Sequence, residues 1–215
     1  MSPTALRHAP WTAITGLVHG FLPGRVEPQA ATLLPRQVHG TRVLTAAEGG
    51  KRPEADGMVT ATPGTCVGVA TADCVPLLLV APRERVVAAV HAGWRGAAAG
   101  IIDAAIAHLH HGFGVEPATI EAAMGPAIGP CCYEVGPEVQ AAFRERSGDA
   151  TAAAWSRRAQ HDMLDLRGAV RALLMAAGIR DVAILGPCTR CSPVYCSFRR
   201  DGATAGRQTS FIGWR

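Results

Sequence analysis

The chain has 215 residues and a formal net charge of +4; 48% of its residues are apolar and 18% charged. That balance supports a sizeable core and argues against a disordered chain, and no apolar run reaches the roughly 18 residues needed to span a bilayer. The opening MSPTALRHAPWTAITGLVHG lacks a charged start followed by a continuous apolar core, so no secretory signal is expected and the cytoplasm is the expected location. Lys51 is the only lysine among 21 basic residues, and the arginines are scattered apart from the doublets Arg157–Arg158 and Arg199–Arg200. With no basic stripe, neither nucleic acid nor membrane is an expected partner. The seven cysteines, at 66, 74, 131, 132, 188, 191 and 196, are odd in number. In a chain without an export signal they read as reduced thiols, some of them metal ligands, rather than as a disulfide framework.

In chain order, CVGVA (66–70), VPLLLV (75–80) and RVVAAVH (85–91) are short apolar runs separated by polar turns, and they predict buried strands. From Gly96 to His111 the period changes: Ile102, Ile106 and Leu109 recur at helical spacing, and Gly112 with Gly114 marks the stop. TIEAAMG (119–125) predicts a strand running into the Gly/Pro-rich loop GPAIGPCCYEVGP. Pro137 is suited to open a helix with Val139 and Phe143 on one face. Leu166, Val170, Leu173, Leu174 and Ala177 form a helical stripe ending at Gly178; VAIL (182–185) and SFIGW (210–214) are further strands. Strands and helices alternate irregularly and no linker stands out, so the pattern predicts one mixed α/β or α+β domain over residues 1–215.

Three polar residues stand where core packing does not require them. His39 closes PRQVHG, Cys74 lies in TADCVPLLLV, and His91 ends the third apolar run. Two histidines and a thiolate are a suitable donor set for an open zinc site, in which a fourth position is left for water that zinc activates near neutral pH. Their spacing matches no compact metal motif, and structural roles for each remain open at this level. Asp73 is either a partner that orients a ligand or moves a proton, or a turn carboxylate. Arg95 follows His91 by four residues near a helix start, where an arginine fork and exposed amides suit an anion; local pairing is the alternative. Cys188-x-x-Cys191, nearby Cys196 and the vicinal Cys131–Cys132 leave a second zinc site or a redox pair open, with reduced, partly buried thiols the simplest expectation.

QVHG, TADCVPLLL, HAGWRG, GPAIGPCCYEVG, Cys188–Thr189 and FRRDGATAGRQTSFI occur in this order. Together they resemble the laccase-domain family, whose members are described as multicopper polyphenol oxidoreductase-like proteins, purine nucleoside phosphorylases and peptidoglycan-editing factors. The resemblance runs from about Pro35 to the C-terminus. It implies an α+β fold layered as an α/β/β/α sandwich with mixed sheets, and it implies that His39, Cys74 and His91 are zinc ligands. Asp73, Cys74 and His91 are then the expected catalytic residues, and Arg95, Arg199 and Arg200 the expected substrate-binding ones.

The same resemblance implies phosphorolysis of adenosine, inosine, guanosine and methylthioadenosine and hydrolytic deamination of adenosine, with a purine nucleoside and phosphate as small-molecule partners. Alternatives are an amidase that removes misincorporated serine from a peptidoglycan precursor, a copper-dependent polyphenol oxidase, and a zinc-stabilised binding module without activity. A four-copper oxidase needs many paired imidazoles. The eight histidines include one His-x-His, His108 and His110, expected on a solvated helix face. LVHGF (17–21) resembles the family's opening strand, but the glycine-rich stretch, Asn-Leu-Gly segment and Asn-Arg pair that usually follow are absent. Only LPGRVEPQAATLLPR separates Phe21 from Gln37. A shortened N-terminal part, about 20–36, is therefore expected to alter the pocket, with Arg25 and Arg36 the basic residues available there.

Overall fold

A computed structural model describes residues 5–24, 26–27, 32–48 and 52–215. The strands are β1 (Leu17–Phe21), β2 (Thr32–Leu33), β3 (Val43–Thr45), β4 (Gly57–Thr60), β5 (Cys66–Thr71), β6 (Val75–Ala81) and β7 (Val86–Ala92). Then follow α1 (Trp94–Ala99), α2 (Ile101–Phe113), β8 (Glu121–Met124), β9 (Glu134–Val135) and α3 (Pro137–Ser147). The chain closes with β10 (Trp155–Arg158), β11 (His161–Leu164), α4 (Leu166–Ala176), β12 (Asp181–Ile184), α5 (Phe198–Asp201) and β13 (Gln208–Trp214). None of the helices is long and apolar enough to cross a membrane among the described residues.

The architecture is α+β with mixed sheets. A six-stranded sheet has the order β12-β8-β6-β7-β4-β3, and a four-stranded sheet the order β1-β13-β5-β2. β6 and β7 are buried along their whole length, which is why they read as continuous apolar runs. Alternation sorts their side chains. Leu77, Leu79, Ala88 and Val90 face a core shared with Ile102, Ile106 and Leu109 of α2 and Val170 and Leu174 of α4. Leu78, Val80, Val87 and Ala89 face the other way, against Val67, Val69, Ile212 and Trp214 of the smaller sheet. Truncating any one of these leucines to alanine would cost about 2–5 kcal/mol.

The helix expected over 96–111 is split. Gly100 takes φ +102°, ending α1 and starting α2, and a Cβ there would meet the Arg146 guanidinium at 2.6 Å. Arg146 of α3 pairs with Asp103 of α2 at 2.6 Å beside this break. A small sheet of order β10-β11-β9 was not anticipated; β10 is largely exposed, so no buried face marks it in the sequence. His108 and His110 are half-buried rather than on a freely solvated face. The His108 ring bonds the Thr45 hydroxyl at 2.9 Å, and the His110 ring the Val115 carbonyl at 3.0 Å.

Candidate metal-binding site and cavity

Strand parity brings the site together. Asp56 precedes β4 with the parity of Met58, Cys74 precedes β6 with the parity of Leu78, and His91 in β7 has the parity of Val87 and Ala89. All three therefore point into the space between the sheets. Register puts them at the same end: Gly57 pairs with Val90 and Pro76 with His91. His39 arrives from the loop before β3 with a left-handed backbone, φ +62°. The donor atoms of His39, Cys74 and His91 lie within 4.8 Å of one another.

Asp56 organises this group, and sequence reasoning missed it. Its fully buried carboxylate accepts the backbone N–H groups of Val38 at 3.2 Å, His39 at 2.9 Å and Gly40 at 2.7 Å, holding the loop that carries His39. It also accepts the His91 ring Nδ1–H at 2.8 Å, which leaves Nε2 of His91 for the site. Burial acts to raise the Asp56 carboxyl, but the His91 ring and the amides of Gly40 and Val38 outweigh it and hold the group below its ordinary range. The only sequence signal was an acidic residue in PEADG directly before a strand whose four residues are all buried.

The donor set fits a tetrahedral metal. Cys74 Sγ lies 3.9 Å from His39 Nε2, close to the roughly 3.6 Å edge expected between nitrogen and sulfur ligands of one zinc ion. A Cβ at Gly93 would lie 3.0 Å from both Cys74 Sγ and His39 Cδ2, so a larger residue there would push the donors apart by a few tenths of an ångström. Burial acts to lower the His91 imidazole, yet Asp56 and Cys74 outweigh it and raise it to about 9. Burial pushes the Cys74 thiol up, while the adjacent His39 and His91 rings bring it down to about 7.

Without metal, the His91 ring is thus held protonated at neutral pH, while Cys74 passes between thiol and thiolate there. A bound metal needs thiolate and neutral imidazole, so it must displace protons. Affinity for a divalent metal should rise with pH most steeply below about 7, less steeply from about 7 to about 9, and level off above. Competition with a chromophoric chelator at successive pH values checks this; a flat profile through that window would contradict it.

The donors open into a cavity of about 560 Å³ between the sheet ends. Its wall includes the aromatic residues Trp94, Tyr133 and Phe198 and the cations Arg36, Arg52, Arg95, Arg199 and Arg207. Arg95 lies over the Trp94 ring at 4.5 Å and Arg199 over Tyr133 at 5.2 Å. The Thr71 hydroxyl, buried on this wall, has no hydrogen-bond partner among the described residues. Arg36 pairs with Glu54, and Arg25 lies outside the described residues.

Asp73 also lines the cavity, but both its oxygens are engaged. They accept the Thr189 hydroxyl at 2.6 Å and the Arg199 backbone N–H at 2.7 Å. Its own backbone has φ +84°. The expected pairing of Arg199 with Arg200 separates in space. Arg199 faces the cavity, whereas Arg200 donates to the carbonyls of Thr189, Ser192 and Tyr195, pairs with Asp201, and lines a different groove.

The profile of the family described as "Multi-copper polyphenol oxidoreductase laccase" matches residues 24–215. A protein of Deinococcus radiodurans named purine nucleoside phosphorylase is 42% identical over 178 residues, covering 82% of this chain and 68% of the relative. Purine nucleoside phosphorylase YfiH of Escherichia coli K12 is 38% identical over 178 residues, covering 82% and 71%. The crystal structure of YlmD from Geobacillus stearothermophilus superposes with a TM-score of 0.87 at 27% identity, covering 100% of this chain and 97% of that one.

Proposed function

The chain belongs to the family described as multi-copper polyphenol oxidoreductase laccase, and on that premise we propose that it is a zinc-dependent purine nucleoside enzyme. The observation that carries this reading is the His39/Cys74/His91 donor set opening onto a cavity of aromatic residues and arginines. The names of the Deinococcus radiodurans and Escherichia coli relatives support the nucleoside assignment. Three protein donors with a fourth position open would let zinc act as a Lewis acid on water near neutral pH.

In this reading Trp94, Tyr133 and Phe198 hold the flat purine by stacking. Arg95 and Arg199 hold phosphate, whose oxygen bonds to the ribose C1′ as the bond to the base breaks. In deamination, water adds at the purine carbon bearing the amino group and ammonia leaves. Thr71 offers a hydroxyl to a polar atom of the bound nucleoside. Asp73 acts by position, fixing Cys74, the Thr189 loop and the start of α5 around the cavity. Arg200 is assigned to the stability of that loop. The short stretch between Phe21 and Gln37 is proposed to leave the cavity wall near Arg36 more open, with preference among nucleosides, or phosphorolysis itself, altered.

His108 and His110 bond Thr45 and Val115, and among the described residues the imidazole-bearing ligand group is His39/Cys74/His91; this favours one ion at that group over a multicopper cluster. The test is product analysis of protein incubated with adenosine, with and without phosphate. Adenine that requires phosphate, or inosine that does not, is the expected result. Stoichiometric copper with phenol oxidation, or serine release from a peptidoglycan precursor, in either case without nucleoside turnover, would overturn the assignment.

A further inference from the structure

We propose that Cys131, Cys132, Cys188 and Cys191 form a second, closed metal site that takes a soft divalent cation, zinc in the first place, and clamps the two loops that wall the cavity. Their four sulfurs lie within 4.8 Å of one another, although the two pairs are some 60 residues apart in sequence. The fold brings them together because β8 and β12 are parallel neighbours, so the loops that follow leave the sheet at the same end. Ala127 bridges to Cys188 in parallel, and the Thr189 N–H donates to the Ala127 carbonyl at 3.0 Å.

The local geometry suits one tetrahedral ion. Cys191 Sγ lies 3.7 Å from Cys131 Sγ and 3.4 Å from Cys132 Sγ. Four sulfurs at about 2.3 Å from a common zinc are separated by roughly 3.8 Å. Cys188-x-x-Cys191 forms a tight turn in which Ser192 N–H donates to the Cys188 carbonyl at 3.1 Å. The Gly129 N–H points at Cys188 Sγ from 3.2 Å, a donor to a sulfur carrying negative charge. A Cβ on Gly129 would meet Cys188 Cβ at 3.2 Å and Cys131 Sγ at 3.4 Å, so the vicinal pair can approach the knuckle because residue 129 is glycine. None of the four carries a disulfide.

Four protein donors make this site a brace, with no position left for substrate. What it braces is the cavity. The loop carrying Cys131 and Cys132 also carries Ile128 and Tyr133, and the loop carrying Cys188 and Cys191 runs through Thr189 towards Phe198 and Arg199.

The deciding protein is the Cys74→Ala variant, which keeps all four thiols but lacks the thiolate of the other site. Purified without added metal, it should retain about one metal ion per chain, with elemental analysis separating zinc from iron, the two ions a tetrahedral set of four sulfurs favours. Replaced by cobalt, that ion should show the thiolate charge-transfer absorption of four sulfurs, which two remaining imidazoles could not produce. Cys188→Ser/Cys191→Ser should lose this ion while keeping the one at His39, Cys74 and His91. The inference is overturned if the folded Cys74→Ala variant is metal-free with Cys131, Cys132, Cys188 and Cys191 open to a thiol reagent. It is equally overturned if intact mass shows two of the four joined as a disulfide.

Discussion

Replacing Asp56 by alanine should lower affinity for a divalent metal at His39, Cys74 and His91 by about ten- to a hundredfold, the usual cost of losing the carboxylate behind a ligand histidine. The same change should destabilise the fold by about 2–4 kcal/mol, because it orphans buried donors that each cost on the order of 1–3 kcal/mol when unpaired. Those donors are the amides of Val38, His39 and Gly40 and the ring of His91. Asp56→Asn retains one accepting oxygen but turns an NH₂ towards groups that themselves donate, so it should fall between alanine and wild type. Chelator competition and urea unfolding measured on both variants check the two effects together. If Asp56→Ala binds metal and unfolds like the wild type, Asp56 does not organise the site.

Cys74→Ala removes the one thiolate from the donor set. Metal affinity there should fall by more than about a hundredfold, beyond the cost of losing an outer partner such as Asp56. The proposed turnover of nucleosides should be lost with it. A second readout separates ligand loss from misfolding. In the metal-free protein Cys74 helps Asp56 to raise the His91 imidazole to about 9, so its removal should move that titration towards the ordinary histidine value. Histidine ring resonances followed against pH would report the shift in a folded variant. An unchanged His91 titration would mean that Cys74 is not seated against that ring.

The strands clearest in the sequence are those buried on both faces. β5, β6 and β7 are recognisable because neither side of the strand meets water, and α4 because Leu166, Val170 and Leu174 recur along one face. β10 carries no such pattern, since Ser156, Arg157 and Arg158 stand in solvent, and β11 buries only Met163 and Leu164 at its end. The split at Gly100 was hidden because the apolar period of α2 begins beyond it. Within the site, His39, Cys74 and His91 were legible through motifs. Asp56 was not, because its role comes from cross-strand register with His91 rather than from neighbours in the chain. Arg199 and Arg200 show the converse: adjacent in sequence, they point to different grooves because α5 turns one towards the cavity and the other towards the loop carbonyls. The four clustered cysteines likewise depend on the parallel pairing of β8 with β12, which no local pattern announces.

Central to the proposed activity is a metal at His39, Cys74 and His91 serving a nucleoside substrate in the adjoining cavity. The most direct test is to strip the protein with a chelator, restore zinc in increments, and follow adenosine turnover and bound metal in the same samples. Turnover should disappear on stripping and return in proportion to zinc bound at this site, with Cys74→Ala unrecoverable. Undiminished adenosine turnover in stripped protein, or in Cys74→Ala, would contradict that role.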